Sequence, residues 1–246
     1  MAYFFIPPEQ IKEKTVIFTC SDTVHLARVL RLRPGDRVEV CDGRGKGYRV
    51  LLSKIAPAAE GIIEEEFPVA AEPLVSVTLV QGIPKGDKME LIIKKCTELG
   101  VKGIIPFRAE RSVVRLDPDR LEQKNLRWQK VAREAAKQCM RGEIPVVWRP
   151  MSLPEIFSVM PPGALGIMPW EEEREVSLKE VLRQTKGAKE IFLFIGPEGG
   201  FSQREVEQAK SRCVATVSLG RRILRTETAA LAVVAMVLYE AGDLGG

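Results

Sequence analysis

The sequence is short of the residues that most catalytic schemes depend on. It has one histidine, His25, in 246 residues. That excludes any site built on two imidazoles and removes most Ser/His and Cys/His schemes. Its five cysteines, Cys20, Cys41, Cys96, Cys139 and Cys213, are odd in number and scattered. With no CxxC pair and no Cys/His cluster, neither a disulfide framework nor a zinc site is supported, and reduced thiols in a cytoplasmic protein are expected. No GxxxxGK[ST] segment cradles a phosphate, no GxGxxG follows a strand, and no GxSxG elbow occurs. The N-terminus, MAYFFIPPEQ, lacks the basic region and apolar core of a signal peptide. The most apolar helical stretch, Ala229 to Leu238, is far below the roughly 20 residues of a membrane span.

What remains suits a two-domain α/β protein. Hydrophobic residues make up 45% of the chain, enough for a sizeable core. The net charge of +4 is unevenly spread, because residues 73–150 carry sixteen basic and nine acidic side chains. A polyanionic partner and a solvated basic face both fit that excess.

Residues 1–70 read as a small β-rich unit. Strands are expected at Thr15 to Thr19, Arg37 to Cys41, Tyr48 to Ile55 and Gly61 to Phe67, with a short helix from Thr23 to Leu30 capped by Ser21 or Asp22. Asp42-Gly43 is a hairpin signal, and short strands at this spacing suggest a small barrel. Arg28, Arg31, Arg33, Arg44 and Lys46 lie in and beside its turns. They form either an RNA-binding surface or a solubilising one.

Pro68 to Pro73 reads as the linker, and the domain from residue 74 to 246 alternates strands and helices. Strands are expected at Leu74 to Val80, Gly103 to Phe107, Ala164 to Met168, Ile191 to Ile195 and Val214 to Leu219. Helices are expected after an Asp87/Glu90 capping box, from Pro118 to Met140, from Ser177 to Gln184, after a Ser202/Glu205 capping box, and at Ala229 to Leu238, which is apolar on every face. Lys124, Arg127, Lys130, Arg133, Lys137 and Arg141 step by threes and fours and form one basic stripe. The alternation predicts a largely parallel sheet, whose ligands bind at the carboxyl ends of its strands. Three loops follow such ends: Pro169-Trp170-Glu171, Gly196-Pro197-Glu198-Gly199-Gly200 and Gly220 to Thr228. Glycines allow a flat ligand to approach the main chain. Glu198 would repel a pyrophosphate and suits a cationic or hydroxyl-bearing ligand.

IGPEGGFSQREVE (residues 195–207) followed by LGRRILRTETAA (residues 219–230) resembles the paired C-terminal motifs of the SPOUT class of RNA methyltransferases. More narrowly, the chain resembles the ribosomal RNA small subunit methyltransferase E family. HLARVLRLRPGDRV and DGRGKGY resemble that family's PUA-like domain, and KGDKMELIIKKCTELGV and REAAKQCMRGEIP resemble its first SPOUT helices. Val24-His25 departs from the histidine pair the family often shows at that place. The resemblance implies S-adenosylmethionine-dependent methylation of uridine N3 in 16S rRNA of the small ribosomal subunit. It also implies a deep trefoil knot and a homodimer, and with no Cys/His cluster in the sequence no metal is expected. The same knot acting on a tRNA ribose 2′-hydroxyl, or a non-catalytic RNA-binding assembly factor, are the competing readings.

Carried onto this sequence, the resemblance places the cofactor against Met168, Pro169, Ile195, Gly196, Pro197, Gly199, Gly200, Leu219, Gly220, Ile223, Leu224 and Thr228. Leu219 and Leu224 would flank the adenine. Arg225 is expected to stabilise charge on the uracil oxygens, with Glu227 or Glu198 accepting a proton or orienting Arg225. Gln138 and Arg141 are expected RNA contacts beside the five basic turn residues.

Overall fold

The computed structural model describes residues 2–112, 118–185 and 187–245, with residues 118 and 119 described in their backbone only. Two compact units divide the chain. One is residues 1–72 with 136–144, and the other is residues 73–135 with 145–246. The break near residue 72 falls in the Pro68 to Pro73 stretch. The return of residues 136–144 to the first unit has no signal in the sequence.

The first unit is a six-stranded sheet in the order β1-β4-β5-β6-β3-β2. Its strands are β1 (Tyr3–Phe5), β2 (Ile11–Lys12), β3 (Thr15–Ile17), β4 (Arg37–Cys41), β5 (Lys46–Lys54) and β6 (Glu60–Pro68). Only the β1–β4 pair is parallel. Inward residues alternate along the strands and meet in one cluster of Phe4, Val16, Val38, Val40, Val50 and Leu52, closed by Leu26. Leu26 sits in a π-helical turn, His25–Val29, that continues α1 (Cys20–Val24). The helix thus starts earlier than its sequence suggests, because Thr19 is the cap that accepts from the Asp22 N–H. The β4–β5 hairpin turns where Asp42-Gly43 predicts, with Asp42 Oδ1 accepting from the Arg44 and Lys46 amides at 2.7 and 3.1 Å.

The second unit holds a six-stranded sheet, all parallel, in the order β12-β10-β11-β7-β8-β9. The strands are β7 (Ser76–Gly82), β8 (Gly103–Phe107), β9 (Val146–Val147), β10 (Leu165–Pro169), β11 (Glu190–Ile195) and β12 (Ala215–Val217). Successive residues feed opposite faces, as the period of two requires. Leu79, Ile104 and Leu193 pack on one side with α2 (Lys88–Leu99), α3 (Pro118–Gln138), α5 (Leu178–Gln184) and α7 (Thr226–Glu240). Val80, Ile105, Phe192 and Phe194 pack on the other with α4 (Leu153–Val159) and α6 (Gln203–Ser211). Among the described residues no helix is long and apolar enough to cross a membrane.

Helix ends follow local chemistry at most places. Ser177/Glu180 and Ser202/Glu205 form reciprocal capping boxes. Asp87 stands at the expected N-cap of α2 but makes no side-chain cap bond, and the Glu90 carboxylate is drawn instead to Arg127 at 2.7 Å. Gly100 ends α2 at φ 114°, and a Cβ there would lie 2.6 Å from Pro73 Cγ. Gly100→Ala is therefore expected to cost roughly 1–3 kcal/mol, read as a lower urea midpoint for the whole chain. α7 departs from expectation. It buries Ala230, Val233, Val234, Val237 and Leu238, yet leaves Met236 42% and Tyr239 67% exposed. It is apolar all round but covered on one side only.

Candidate functional site

The loops that leave β10, β11 and β12 at their carboxyl ends line one cleft of about 550 Å³. This is the edge where an open parallel sheet exposes uncommitted backbone groups. The cleft gathers Pro169, Ile195, Gly196, Pro197, Glu198, Gly199, Gly200, Leu219, Gly220, Ile223, Leu224 and Arg225, all expected from the sequence. It adds Lys88, Arg174, Phe201, Ser218 and Ala229, which were not, and Thr226 from the expected Gly220 to Thr228 loop. Three expected residues, Met168, Glu227 and Thr228, do not line the cleft. Met168 points into the core between the sheet and α4/α6 and is fully buried, because adjacent residues of a strand face opposite sides. Thr228 lies past the first residues of α7, is exposed, and does not line the cleft.

The glycine loop is held by close backbone contacts. A Cβ on Gly82, at the end of β7, would come within 2.5 Å of Pro197, and one on Gly199 within 3.0 Å of the Arg111 carbonyl. Gly200 takes φ +68°, and a Cβ there would lie 2.5 Å from Glu171 Oε1. Hydrogen bonds from below fix the same loop. Gln81 is completely buried, and its Nε2 donates to the Gly82 carbonyl and to Thr226 Oγ1, both at 2.9 Å. Thr226 Oγ1 in turn donates to the Gly196 carbonyl at 2.6 Å. Gln81 Oε1 has no hydrogen-bond partner. The chain from Gln81 through Thr226 to Gly196 couples β7, α7 and the loop after β11. Sequence reasoning missed it because Gln81 lies 145 residues from Thr226.

The β10 loop is stapled separately. Glu173 Oε2 accepts from Thr216 Oγ1 at 2.7 Å, and its Oε1 accepts from the amides of Arg174, Glu175 and Val176. The Thr216 bond and these amides hold the Glu173 carboxyl below the ordinary range.

The cleft's charge comes from one closed cluster, from Glu171 and from several free cations. Lys88 Nζ meets Glu198 Oε1 at 2.9 Å and Glu227 Oε2 at 3.5 Å. Glu198 also accepts from the Lys85 amide at 3.2 Å. Partial burial opposes ionisation of Glu198, but the Lys88 bond and backbone amides outweigh it and hold the carboxyl below its usual range. The Glu198 bond raises Lys88 correspondingly. The two acids expected beside Arg225 therefore meet at Lys88. Arg174, Arg221, Arg222 and Arg225 line the cleft without an ion pair among the described residues.

The RNA-contact expectations fare unevenly. Arg28, Arg31, Arg33, Arg44, Lys46 and Gln138 are exposed. Arg141 is not: it is 3% exposed, and its guanidinium grips Glu72 through Nε at 3.2 Å and Nη2 at 2.6 Å. α3 ends at Gln138, and Met140 takes φ 57°, so the chain leaves the helical path before Arg141. The basic stripe stops short of it. Lys137 also turns inward, with its Nζ 4.4 Å from the centre of the Phe4 ring.

Two family models match the chain, an RNA methyltransferase domain over residues 70–238 and an RNA methyltransferase PUA domain over residues 22–57. The chain is 34% identical to ribosomal RNA small subunit methyltransferase E of Bacillus subtilis, covering 99% of this chain and 98% of that one. It is 36% identical to the Synechocystis protein of the same name, over 96% of this chain and 77% of that one. A solved structure of ribosomal RNA small subunit methyltransferase E from Neisseria gonorrhoeae, bound to S-adenosyl methionine, superposes with a TM-score of 0.86 at 32% identity. That match covers 96% of both chains.

Proposed function

The chain belongs to the ribosomal RNA small subunit methyltransferase E family, and we propose that it methylates N3 of a uridine in the 16S RNA of the small ribosomal subunit, using S-adenosylmethionine. A SPOUT-class methyltransferase unit and a PUA-like unit make up this architecture. The observation that carries the proposal is the cleft at the carboxyl ends of β10, β11 and β12, in a fold whose gonococcal relative was solved with the cofactor bound.

The cleft's residues fit that cofactor. Ile195, Leu219, Leu224 and Ala229 offer apolar surface for a flat ring, and the loops around Gly196 and Gly200 offer backbone groups at close range. Bound there, S-adenosylmethionine supplies a methyl group on a sulfonium whose thioether departs readily. The remaining work is positioning and exclusion of water. The target uridine has to be unpaired or flipped out so that N3 reaches the cleft. Arg225 stabilises negative charge on the uracil oxygens. One proton leaves N3 for each methyl gained. Glu198, ion-paired and held below its usual range, is a poor acceptor at neutral pH. That leaves Glu227 or solvent water to take the proton.

RNA phosphates are gripped by Arg28, Arg31, Arg33, Arg44 and Lys46, with Gln138 beside them. The uncovered apolar side of α7, with Met236 and Tyr239, supports a homodimer. The family's knot belongs to the same reading. It is compatible with β12 lying beyond β10 while α7 returns to pack on α2, β7 and β11. Action on ribosomal RNA supports a cytoplasmic location.

The test is methylation of small subunits that lack the modification, followed by mass spectrometry of the digested RNA. N3-methyluridine is the expected product. A methyl on a ribose 2′-oxygen reassigns the substrate, and absence of both turnover and calorimetric binding of S-adenosylmethionine makes the protein a non-catalytic factor. A second outcome concerns the loop beneath the cofactor. Thr226→Val leaves the Gly196 carbonyl and a Gln81 N–H without their partner. The Kd for S-adenosylmethionine should rise about tenfold, about 1.4 kcal/mol, within the usual cost of an unmet buried group. Thr226→Ser, which keeps the hydroxyl, should bind close to the parent.

A further inference from the structure

We infer that Lys88 is a positioning residue that keeps Arg225 available to the substrate by holding two acids, Glu198 on the cleft wall and Glu227 in the first turn of α7, in a closed cluster. The inference rests on the methyltransferase reading and assigns a task to a residue outside the cofactor loops.

Lys88 opens α2 and its side chain reaches the rim of the cleft. There it is 2.9 Å from Glu198 and 3.5 Å from Glu227. Glu198 belongs to the glycine loop, and Glu227 stands two residues beyond Arg225 in the first turn of α7. Both carboxylates are thus carried by segments that also frame the substrate-facing wall. A carboxylate in a partly water-excluded cleft takes the nearest cation, since the attraction grows as the local dielectric falls. Without Lys88 the cations left lining the cleft are Arg174, Arg221, Arg222 and Arg225. A guanidinium satisfied by Glu198 presents fewer free N–H groups to an anionic uracil, and its charge is neutralised where the reaction needs it. Lysine suits the holding task because its ammonium donates three bonds from one point and bridges two acids. A compact head also leaves the flat wall of the cleft to the arginine fork.

The test combines two readouts on Lys88→Met, Lys88→Arg and the double variant Lys88→Met/Glu198→Gln. The first is phenylglyoxal labelling of Arg225, mapped by peptide mass spectrometry, which needs no turnover. The second is kcat and KM on small subunits, with the Kd for S-adenosylmethionine measured calorimetrically. Lys88→Met should protect Arg225 from labelling and lower kcat about tenfold, with a smaller change in KM and the cofactor Kd near that of the parent. The double variant, which leaves only Glu227 unpaired, should recover labelling and turnover in part, although it lacks the Lys88–Glu198 ion pair as completely as the single one. Lys88→Arg should keep Arg225 labelled. A merely structural role for Lys88 predicts no recovery in the double variant. Unchanged labelling in Lys88→Met, or no recovery in the double variant, overturns the inference. A parent protein that labels as expected but methylates nothing overturns the proposed function instead.

Discussion

Arg225→Ala should lower kcat on small subunits about a hundred- to a thousand-fold, the usual cost of removing one donor aimed at developing charge. The Kd for S-adenosylmethionine should stay within about threefold of the parent value, well under 1 kcal/mol. The separation of the two effects follows from where the residue sits. Arg225 is the N-cap of α7, and it serves that place through its main chain: its carbonyl accepts from the Ala229 amide at 2.8 Å, and its side chain makes no cap bond. Truncating the side chain leaves this helix start intact. Thr226, the next residue, still bonds Gly196 and keeps the cofactor loop in place. What is lost is an exposed guanidinium on the cleft wall with no ion pair among the described residues. Arg225→Lys retains the charge without the planar fork and should fall between parent and alanine variant. Normal methylation by Arg225→Ala would remove Arg225 from the reaction.

The parts of this fold that were legible in the sequence are those decided by neighbours a few residues apart. The apolar run Ile191 to Ile195 announced a buried strand and is one. The Ser202/Glu205 box and the left-handed Gly100 set helix ends where expected, since caps and C-terminal glycines act within one turn. The cleft wall was legible for the same reason: each of its loops directly follows a strand. Residues whose role depends on a distant partner were not. Lys88 meets Glu198 across 110 positions, and Gln81 meets Thr226 across 145. Neither spacing leaves a periodic trace. Met168 is one residue from the cleft-lining Pro169, which in a strand means the opposite face. Asp87 has the right letter for a cap, but Glu90 finds a stronger partner in Arg127. α4 and β9 were missed, one being a single short helix and the other a two-residue strand.

Arg141 is where the stripe pattern misled most, and it carries the second large expected effect. Arg141→Met should destabilise the protein by about 3–5 kcal/mol, because removing one partner of a buried ion pair leaves the other uncompensated. Glu72 accepts from Arg141 Nε and Nη2 and from the Glu143 amide at 3.0 Å, so one carboxylate ties β6's exit to the segment after α3. The same segment closes the first unit from other sides. The Tyr3 hydroxyl donates to the Arg141 carbonyl at 2.9 Å, the Gly45 amide donates to the Gly142 carbonyl at 3.0 Å, and Ala136 packs with Tyr3, Phe5 and Cys41. Methionine fills much of the volume of arginine but returns none of its hydrogen bonds to Glu72. For a chain of this size the loss lowers Tm by at least about 6 °C. Hydrogen exchange should quicken first in β1 and β4, whose residues contact this segment. Glu72→Gln added to Arg141→Met removes the stranded charge and should recover part of the loss. An exposed RNA-binding arginine predicts the reverse pattern: a normal Tm, with weaker RNA binding and a shallower salt dependence. A melting curve of Arg141→Met that matches the parent would place the side chain back on the RNA.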